Sequence, residues 1–174
     1  CALIENIKIN PCGPIAWQSQ AIPARANGEL LLSFRLTPSG DDFVHGEMVL
    51  SSTPIPTEES ILSRVVLDSS GVFLAENGNN LEAATTYRHT PDNRVNCLWI
   101  VDLDNQTYDF QVDKFTNFKD IAIDYPTNSD WEGESVAYLC YRTYTAGCID
   151  ITGLAEGEAC GPEDWATQPL REEI

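Results

Sequence analysis

The chain has 174 residues, with 27 acidic side chains against ten basic ones, a formal net charge of −17 and an isoelectric point near 4.2. This charge argues against a partner such as nucleic acid, whose phosphates need a basic patch, and against electrostatic docking on an anionic membrane. Apolar residues make up 43% of the sequence, which is enough for a packed core, and no apolar run approaches the roughly 18 residues of a membrane span. The composition therefore indicates a single globular domain.

The first predicted strand covers residues 2–9. A loop over residues 11–28, which carries three prolines, follows it. The next segment, 29–37, alternates apolar and polar side chains, and the turn after it predicts a hairpin over 29–51. Asn77-Gly78 is the strongest hairpin signal of the chain. The other predicted strands are 61–67, 72–75, 81–89, 95–103, 107–115, 119–125, 135–144 and 148–152.

Turn signals recur at short intervals and helical periodicity is nearly absent, which is typical of all-β proteins. We therefore predict an antiparallel meander of about nine or ten strands, forming a single β-barrel or a two-sheet β-sandwich stapled by disulfides. The barrel is slightly favoured over the sandwich, because closing the sheet removes its edge strands. Residues 1–152 form this domain, and 153–174 form an acidic C-terminal tail packed on it or tethered to it.

The cysteines are Cys1, Cys12, Cys97, Cys140, Cys148 and Cys160. An even number without a Cys-x-x-Cys pair predicts three disulfides, whose connectivity the sequence leaves open. Zinc sites usually take cysteines two to four residues apart, so zinc is disfavoured. A chain that starts at a cysteine and carries few lysines resembles a secreted, extracellular protein after removal of its signal peptide. The sequon Asn105-Gln106-Thr107 predicts glycosylation of Asn105.

Catalytic motifs are scarce. The sequence has two histidines, His45 and His89, and it lacks a nucleophile elbow, a P-loop, a dinucleotide fingerprint and a His-Glu-x-x-His motif. A glycosidase-like carboxylate pair would use acids on strands, such as Glu47 or Glu82, although a solvated polar face explains them more simply. The sequence therefore favours a protein that is not an enzyme.

Calcium is the one cofactor that the acidic residues suggest, because hard cations take several oxygen ligands from a flexible loop. Asp102, Asp104, Asn105 and Asp109 gather around one hairpin tip and form the candidate site. The loop at Asp130, Glu132 and Glu134 is a second acidic run. Neither run matches the EF-hand loop.

Two loop tryptophans are candidates for sugar binding. Trp131 lies between Asp130 and Glu132, and Trp17 lies in the proline-containing loop. Such rings stack on a sugar while neighbouring polar groups bond its hydroxyls. The simpler alternative is a tryptophan that plugs the end of the barrel, and Trp99, on an alternating strand, belongs to the core.

These observations predict a secreted, disulfide-stabilised binding protein without catalysis, whose partner is a glycan or an extracellular protein. Its composition resembles that of small acidic proteins secreted by filamentous fungi. One alternative is a lipocalin-like barrel holding a small hydrophobic ligand, although Gly13 and Trp17 do not have the Gly-x-Trp spacing of lipocalins. Another is a secreted hydrolase or isomerase with a histidine–carboxylate pair.

Overall fold

The computed structural model describes residues 2–5, 16–40, 43–113, 118–145 and 147–157. Over these residues the chain forms β-strands and one short 3-10 helix, Glu58–Ser60. The strands are β1 (Ala2–Glu5), β2 (Gln18–Arg25), β3 (Glu29–Ser39), β4 (Gly46–Ser51), β5 (Ile61–Leu67), β6 (Phe73–Asn77), β7 (Asn80–Glu82), β8 (Val95–Asp102), β9 (Thr107–Asp113), β10 (Phe118–Pro126), β11 (Val136–Thr143) and β12 (Cys148–Glu156).

The strands form two antiparallel sheets of six strands each. Sheet A has the order β1-β12-β3-β8-β9-β10, and sheet B has the order β2-β11-β4-β5-β6-β7. The two sheets pack face to face around one hydrophobic core. The predicted all-β antiparallel architecture is therefore confirmed. Of the two predicted forms, the described residues adopt the two-sheet sandwich, in which edge strands remain, and not the closed barrel.

Strand alternation builds the core as the sequence predicts. Leu30, Leu32, Phe34 and Leu36 of β3 all point inward and are at most 1% exposed. Trp99 of β8 is fully buried and packs edge-on against Phe110 of β9, with ring centroids 5.2 Å apart. Because successive side chains of a strand point to opposite faces, this core also fixes which residues face outward.

The predicted hairpin over 29–51 is wrong. β3 belongs to sheet A, where it pairs with β8 and β12, and β4 belongs to sheet B, where it pairs with β5 and β11. Alternation shows that each segment is a half-buried strand, but it does not say which strand lies beside it.

The predicted loop over 11–28 contains a strand, β2, which is one of the two edge strands of sheet B and, among the described residues, pairs with β11 alone. Its side chains are mostly exposed, so it lacks the alternation of a half-buried strand. Pro23, which has no N–H to donate, is tolerated because the strand lies at an edge. The hairpin at Asn77-Gly78 is confirmed, since it joins β6 to β7 and Gly78 has a φ of 62°. The return strand is shorter than predicted.

The three-disulfide framework is wrong for two cysteines. Cys97 and Cys140 are free thiols, and both are fully buried. Cys97 points into the core from β8, where it acts as a small apolar side chain. Cys148 is disulfide-bonded, while Cys1, Cys12 and Cys160 lie outside the described residues.

The predicted tail begins within β12, and its residues 158–174 lie outside the described part of the chain. In the described part, no helix is long and apolar enough to span a membrane.

Candidate functional site

The outward-facing side of sheet B carries a strip of charged and aromatic side chains. Glu47 of β4 lies directly opposite Arg142 of β11 in the strand register. The strip, which we call the B face, continues across neighbouring strands in both directions. It comprises Trp17, Tyr138, Arg142, Tyr144, Glu47, Arg64 and Glu76.

Glu47 is the centre of the B face and is only 1% exposed. Arg142 Nε donates a hydrogen bond of 2.6 Å to Glu47 Oε1, and the Tyr144 hydroxyl donates to the same oxygen. Arg64 Nε lies 3.4 Å from Glu47 Oε2. A carboxylate so deeply buried needs charged partners, and the two guanidinium groups supply them.

One end of the B face is aromatic. The guanidinium carbon of Arg142 lies 4.3 Å from the centre of the Trp17 ring and 4.9 Å from that of Tyr144. Trp17 and Tyr138 are partly buried against a small apolar cluster of Val49, Ile61 and Cys140. Tyr144 as a whole residue is 42% exposed. This end therefore presents aromatic surface to solvent, held in place by cation–π contacts and packing.

The other end is acidic and is organised by Arg64 of β5. Arg64 Nη2 lies 2.9 and 3.0 Å from the two carboxylate oxygens of Glu58. Burial raises the pKa of Glu76, Arg64 opposes this rise, and the charges of Glu58, Glu47 and Asp130 add to it. Glu76 Oε2 is buried and has no hydrogen-bond partner among the described residues. Glu76 therefore keeps its proton to a higher pH than an ordinary glutamate does.

The loop between β10 and β11 is fastened to this acidic end. Asn128 Nδ2 donates hydrogen bonds of 3.0 Å to the carbonyl oxygens of Glu58 and Ile61, and Glu132 N donates one of 2.8 Å to Glu59 O. These bonds bring the exposed Asp130 within electrostatic reach of Glu76.

The structure brings some of the predicted site residues together. Trp17 and Glu47 lie on the B face, and Asp130 lies near its acidic end. Trp131 is half-buried and packs against the core, with its Nε1 atom out of contact with solvent. Glu132 is exposed in the same loop, and Glu82 lies on β7, where Asn77 donates a hydrogen bond to it.

Sequence reasoning missed Arg64, Arg142, Tyr144 and Glu76 as functional residues. One signal was present, because Tyr138, Arg142 and Tyr144 alternate along one segment and so share a face. Their relation to Glu47 depends on which strands pair.

The candidate calcium residues at the β8–β9 turn bind backbone amides. Asp102 Oδ1 accepts hydrogen bonds from the N–H groups of Asp104 and Asn105, and Asp102 Oδ2 accepts one from Asn105 Nδ2. The backbone and side-chain bonds from Asn105 lower the pKa of Asp102. Asp104 Oδ1 accepts from Gly28 N, and Asp109 Oδ1 accepts from Asp124 N. No group of three or more metal-ligating side chains occurs among residues 2–5, 16–40, 43–113, 118–145 and 147–157. Calcium binding, like glycosylation of the exposed Asn105, stays a prediction.

The two histidines have different surroundings. His89 is 2% exposed and packs edge-on against Phe43 and Phe73, with ring centroids 5.4 and 5.8 Å away. Burial lowers its pKa, and a backbone hydrogen bond at Thr90 opposes the shift. His89 therefore acts as a neutral packing residue. His45 is placed differently, with its ring centroid 5.0 Å from that of Tyr144.

No family model and no curated protein matches the sequence. Similar solved structures include a sialidase, with a TM-score of 0.59 and 13% identity. The match covers 88% of this chain but only 15% of the sialidase chain. Arcelin-5, a lectin-like defence protein from Phaseolus vulgaris, has a TM-score of 0.58 and 8% identity, covering 87% of this chain and 85% of its own. A GH131 beta-glucanase catalytic domain from Podospora anserina has a TM-score of 0.55 and 10% identity, covering 86% and 70%. The chain therefore has a lectin-like β-sandwich fold.

Proposed function

We propose that this protein binds carbohydrate and that the B face is its binding surface. The observation that carries the proposal is the aromatic end of the B face, where Trp17 and Tyr144 flank Arg142 on the outward side of the sheet. The fold supports it, because arcelin-5 is described as lectin-like and the Podospora anserina domain as a beta-glucanase.

The chemistry of the B face suits a neutral sugar chain. Aromatic rings stack on the C–H faces of sugars, and arginine and carboxylate groups bond their hydroxyls. The strip crosses five neighbouring strands of sheet B, in the order β2, β11, β4, β5 and β6. The four spacings between them, at about 4.8 Å each, give the strip a width of about 19 Å. Its acidic end, like the net charge of −17, disfavours uronates and sulfated sugars.

The protein acts outside the cell in this proposal. The disulfide of Cys148 supports export, because disulfides persist mainly in oxidising compartments. The sequon at Asn105 lies in an exposed turn, where a glycan attached to it would not collide with the core.

Isothermal titration calorimetry with soluble neutral hexasaccharides of the cellulose, laminarin, mannan and xylan types tests the proposal, with polygalacturonate as the acidic comparison. We expect at least one neutral chain to bind and polygalacturonate not to bind. Trp17→Ala is expected to weaken binding about tenfold, equivalent to about 1.4 kcal/mol.

Ile123→Ala is the matched control, because Ile123 is an exposed apolar side chain on β10 of the opposite sheet. It should leave the affinity unchanged. Two results would overturn the proposal: no glycan binds to the wild type, or Trp17→Ala and Tyr144→Ala both bind as tightly as the wild type. If an extracellular protein binds at this face and no glycan does, the partner is that protein and the carbohydrate assignment is wrong.

A further inference from the structure

The cysteines of the chain fall into two groups at the two ends of β12. Cys148 begins the strand and is disulfide-bonded, whereas Cys97 and Cys140 are free thiols. The partner of Cys148 is therefore one of the cysteines outside the described residues, which are Cys1, Cys12 and Cys160. We propose that Cys148 is bonded to Cys12, and that Cys1 and Cys160 form a second disulfide at the opposite end of β12. This inference does not depend on the proposed carbohydrate binding.

The register of β12 on β3 sets the distance between the two ends of β12. Cys148 lies opposite Ser39, and at the far end Gly157 N donates a hydrogen bond of 3.2 Å to Leu31 O. Leu31 and Ser39 are eight positions apart on β3, which corresponds to about 26 Å at the usual rise of about 3.3 Å per residue. The α-carbons of a disulfide lie no more than about 6.8 Å apart, so a cysteine held at the far end cannot bond Cys148.

Cys160 is too close in sequence to the far end of β12 to reach Cys148. It follows Gly157 by three residues, and three extended residues span at most about 11 Å. Adding the about 6.8 Å that a disulfide allows gives about 18 Å, which is short of the about 26 Å between the two ends. The chain would also have to reverse its direction, which shortens its reach further.

Cys1 is held at the same far end by β1. Ala2, which follows Cys1, lies opposite Glu156 of β12. Paired residues of antiparallel strands have α-carbons about 4.5–5.5 Å apart, and consecutive α-carbons are about 3.8 Å apart, so Cys1 lies within about 10 Å of Glu156. Glu156 pairs with Leu32, about 23 Å along β3 from the partner of Cys148. Cys1 therefore stays about 13 Å or more from Cys148, beyond the reach of a disulfide.

Cys12 is the cysteine that can reach Cys148. β1 runs antiparallel to β12 and ends at Glu5, opposite Leu154, so the chain leaves β1 in the direction of Cys148. Leu154 is six positions from Cys148, or about 20 Å along the strand. The seven residues from Glu5 to Cys12 span up to about 25 Å when extended, which covers this distance.

The chain that follows Cys12 leads to the same end of the sandwich. Trp17, five residues after Cys12, lies 4.3 Å from the guanidinium carbon of Arg142. Arg142 is near the end of β11, the strand that precedes β12 and enters it at Cys148. The described residues on both sides of Cys12 therefore approach the Cys148 end.

The second disulfide follows from the first. Besides Cys97 and Cys140, which are 0% exposed, Cys1 and Cys160 are the cysteines that remain. Cys1 adjoins Ala2, and Cys160 lies four residues beyond Glu156, the residue opposite Ala2. In each bond two thiols lose two protons and two electrons to an exchanging disulfide, the class of oxidant that acts in export compartments.

The test maps the disulfides of the full chain by mass spectrometry. The protein is unfolded in slightly acidic urea with N-ethylmaleimide, which blocks free thiols before they exchange, and is then digested without reductant. Trypsin cuts at Lys8, between Cys1 and Cys12, and Glu-C protease cuts at Glu156, between Cys148 and Cys160. We expect one linked peptide pair that contains Cys12 and Cys148, a second that contains Cys1 and Cys160, and maleimide on Cys97 and Cys140 alone.

Two matched variants give a readout that does not depend on linked peptides. Cys12→Ser should add maleimide to Cys148 and leave Cys1 and Cys160 unlabelled. Cys160→Ser should add maleimide to Cys1 and leave Cys148 unlabelled. Labelling is measured in urea, so the result does not require either variant to be stable.

A wild-type linked peptide that joins Cys148 to Cys160 or to Cys1 overturns the proposal, and so does labelling of Cys148 in Cys160→Ser. Wild-type protein that links Cys12 to Cys148 but carries maleimide on Cys1 and Cys160 overturns the second disulfide and supports the first. A dimer that reductant separates, with Cys148 in the linking peptide, overturns the assignment of Cys12.

Discussion

Arg142 and Glu47 face each other across the junction of β11 and β4, with Arg142 Nε 2.6 Å from Glu47 Oε1. This pair joins the aromatic and acidic ends of the B face, because Arg142 also contacts Trp17 and Glu47 also contacts Arg64. The outward side of sheet B therefore acts as one connected set of contacts.

Glu47→Gln is expected to lower the free energy of unfolding by about 3–5 kcal/mol, because it leaves two guanidinium groups beside a neutral amide in a buried position. Urea denaturation followed by tryptophan fluorescence measures the loss. Glu29→Gln, at an exposed site, should change the stability by less than about 0.5 kcal/mol. A Glu47→Gln loss as small as that of the control would show that the buried pair adds nothing to stability.

Cys97 and Cys140 should resist alkylation in the folded protein. Burial raises the pKa of both thiols, that of Cys140 to about 12, and the thiolate is the reactive form. Iodoacetamide without reductant, followed by peptide mass spectrometry, should leave both unmodified in buffer and modify both in urea. Labelling in buffer would contradict their burial, and an absence of labelling in urea would show that they are oxidised.

Protonation of His89 should destabilise the fold. Burial lowers its pKa below the ordinary value of 6.5, so its contribution is complete above that value and is lost as the pH falls from 6.5 through the lowered pKa. His89→Phe should remove this part of the pH dependence. The unfolding free energy of the wild type relative to that of His89→Phe, measured between about pH 7.5 and about pH 5, should decrease as the pH falls. A constant difference would show that His89 titrates normally in the folded state.

Asn128→Asp should loosen the loop between β10 and β11. The change removes the Nδ2 donor to Glu58 O and Ile61 O but keeps Oδ1, which accepts from Asp130 N. The expected cost is about 2 kcal/mol, since two carbonyl groups lose their partner. Limited proteolysis should cut the loop faster than in the wild type, whereas Asn93→Ala, in an exposed turn, should have no effect. Equal cleavage rates for all three proteins would contradict this role of Asn128.

Local patterns predicted the local structure well. Alternation located β3 and β8 and placed Trp99 in the core, and Asn77-Gly78 marked a hairpin that the structure contains. They failed for β2, whose exposed edge position produces no alternation. They also failed for the partner of β3, because period-two patterning carries no information about neighbours.

The candidate site was only partly predictable for the same reason. Trp17 and Glu47 were named from the sequence, but residue 17 meets residue 142, and residue 47 meets both 142 and 64, only through strand pairing. The even cysteine count was misleading, because two of the cysteines serve as small apolar side chains in closed packing.

The strand order has a consequence for how the molecule is made. β11 inserts between β2 and β4, and β12 inserts between β1 and β3, so each sheet joins strands more than a hundred positions apart along the chain. During synthesis on the ribosome, the early strands emerge with open backbone edges and wait for these two late strands. Folding should therefore be slow and should need protection from aggregation until both arrive.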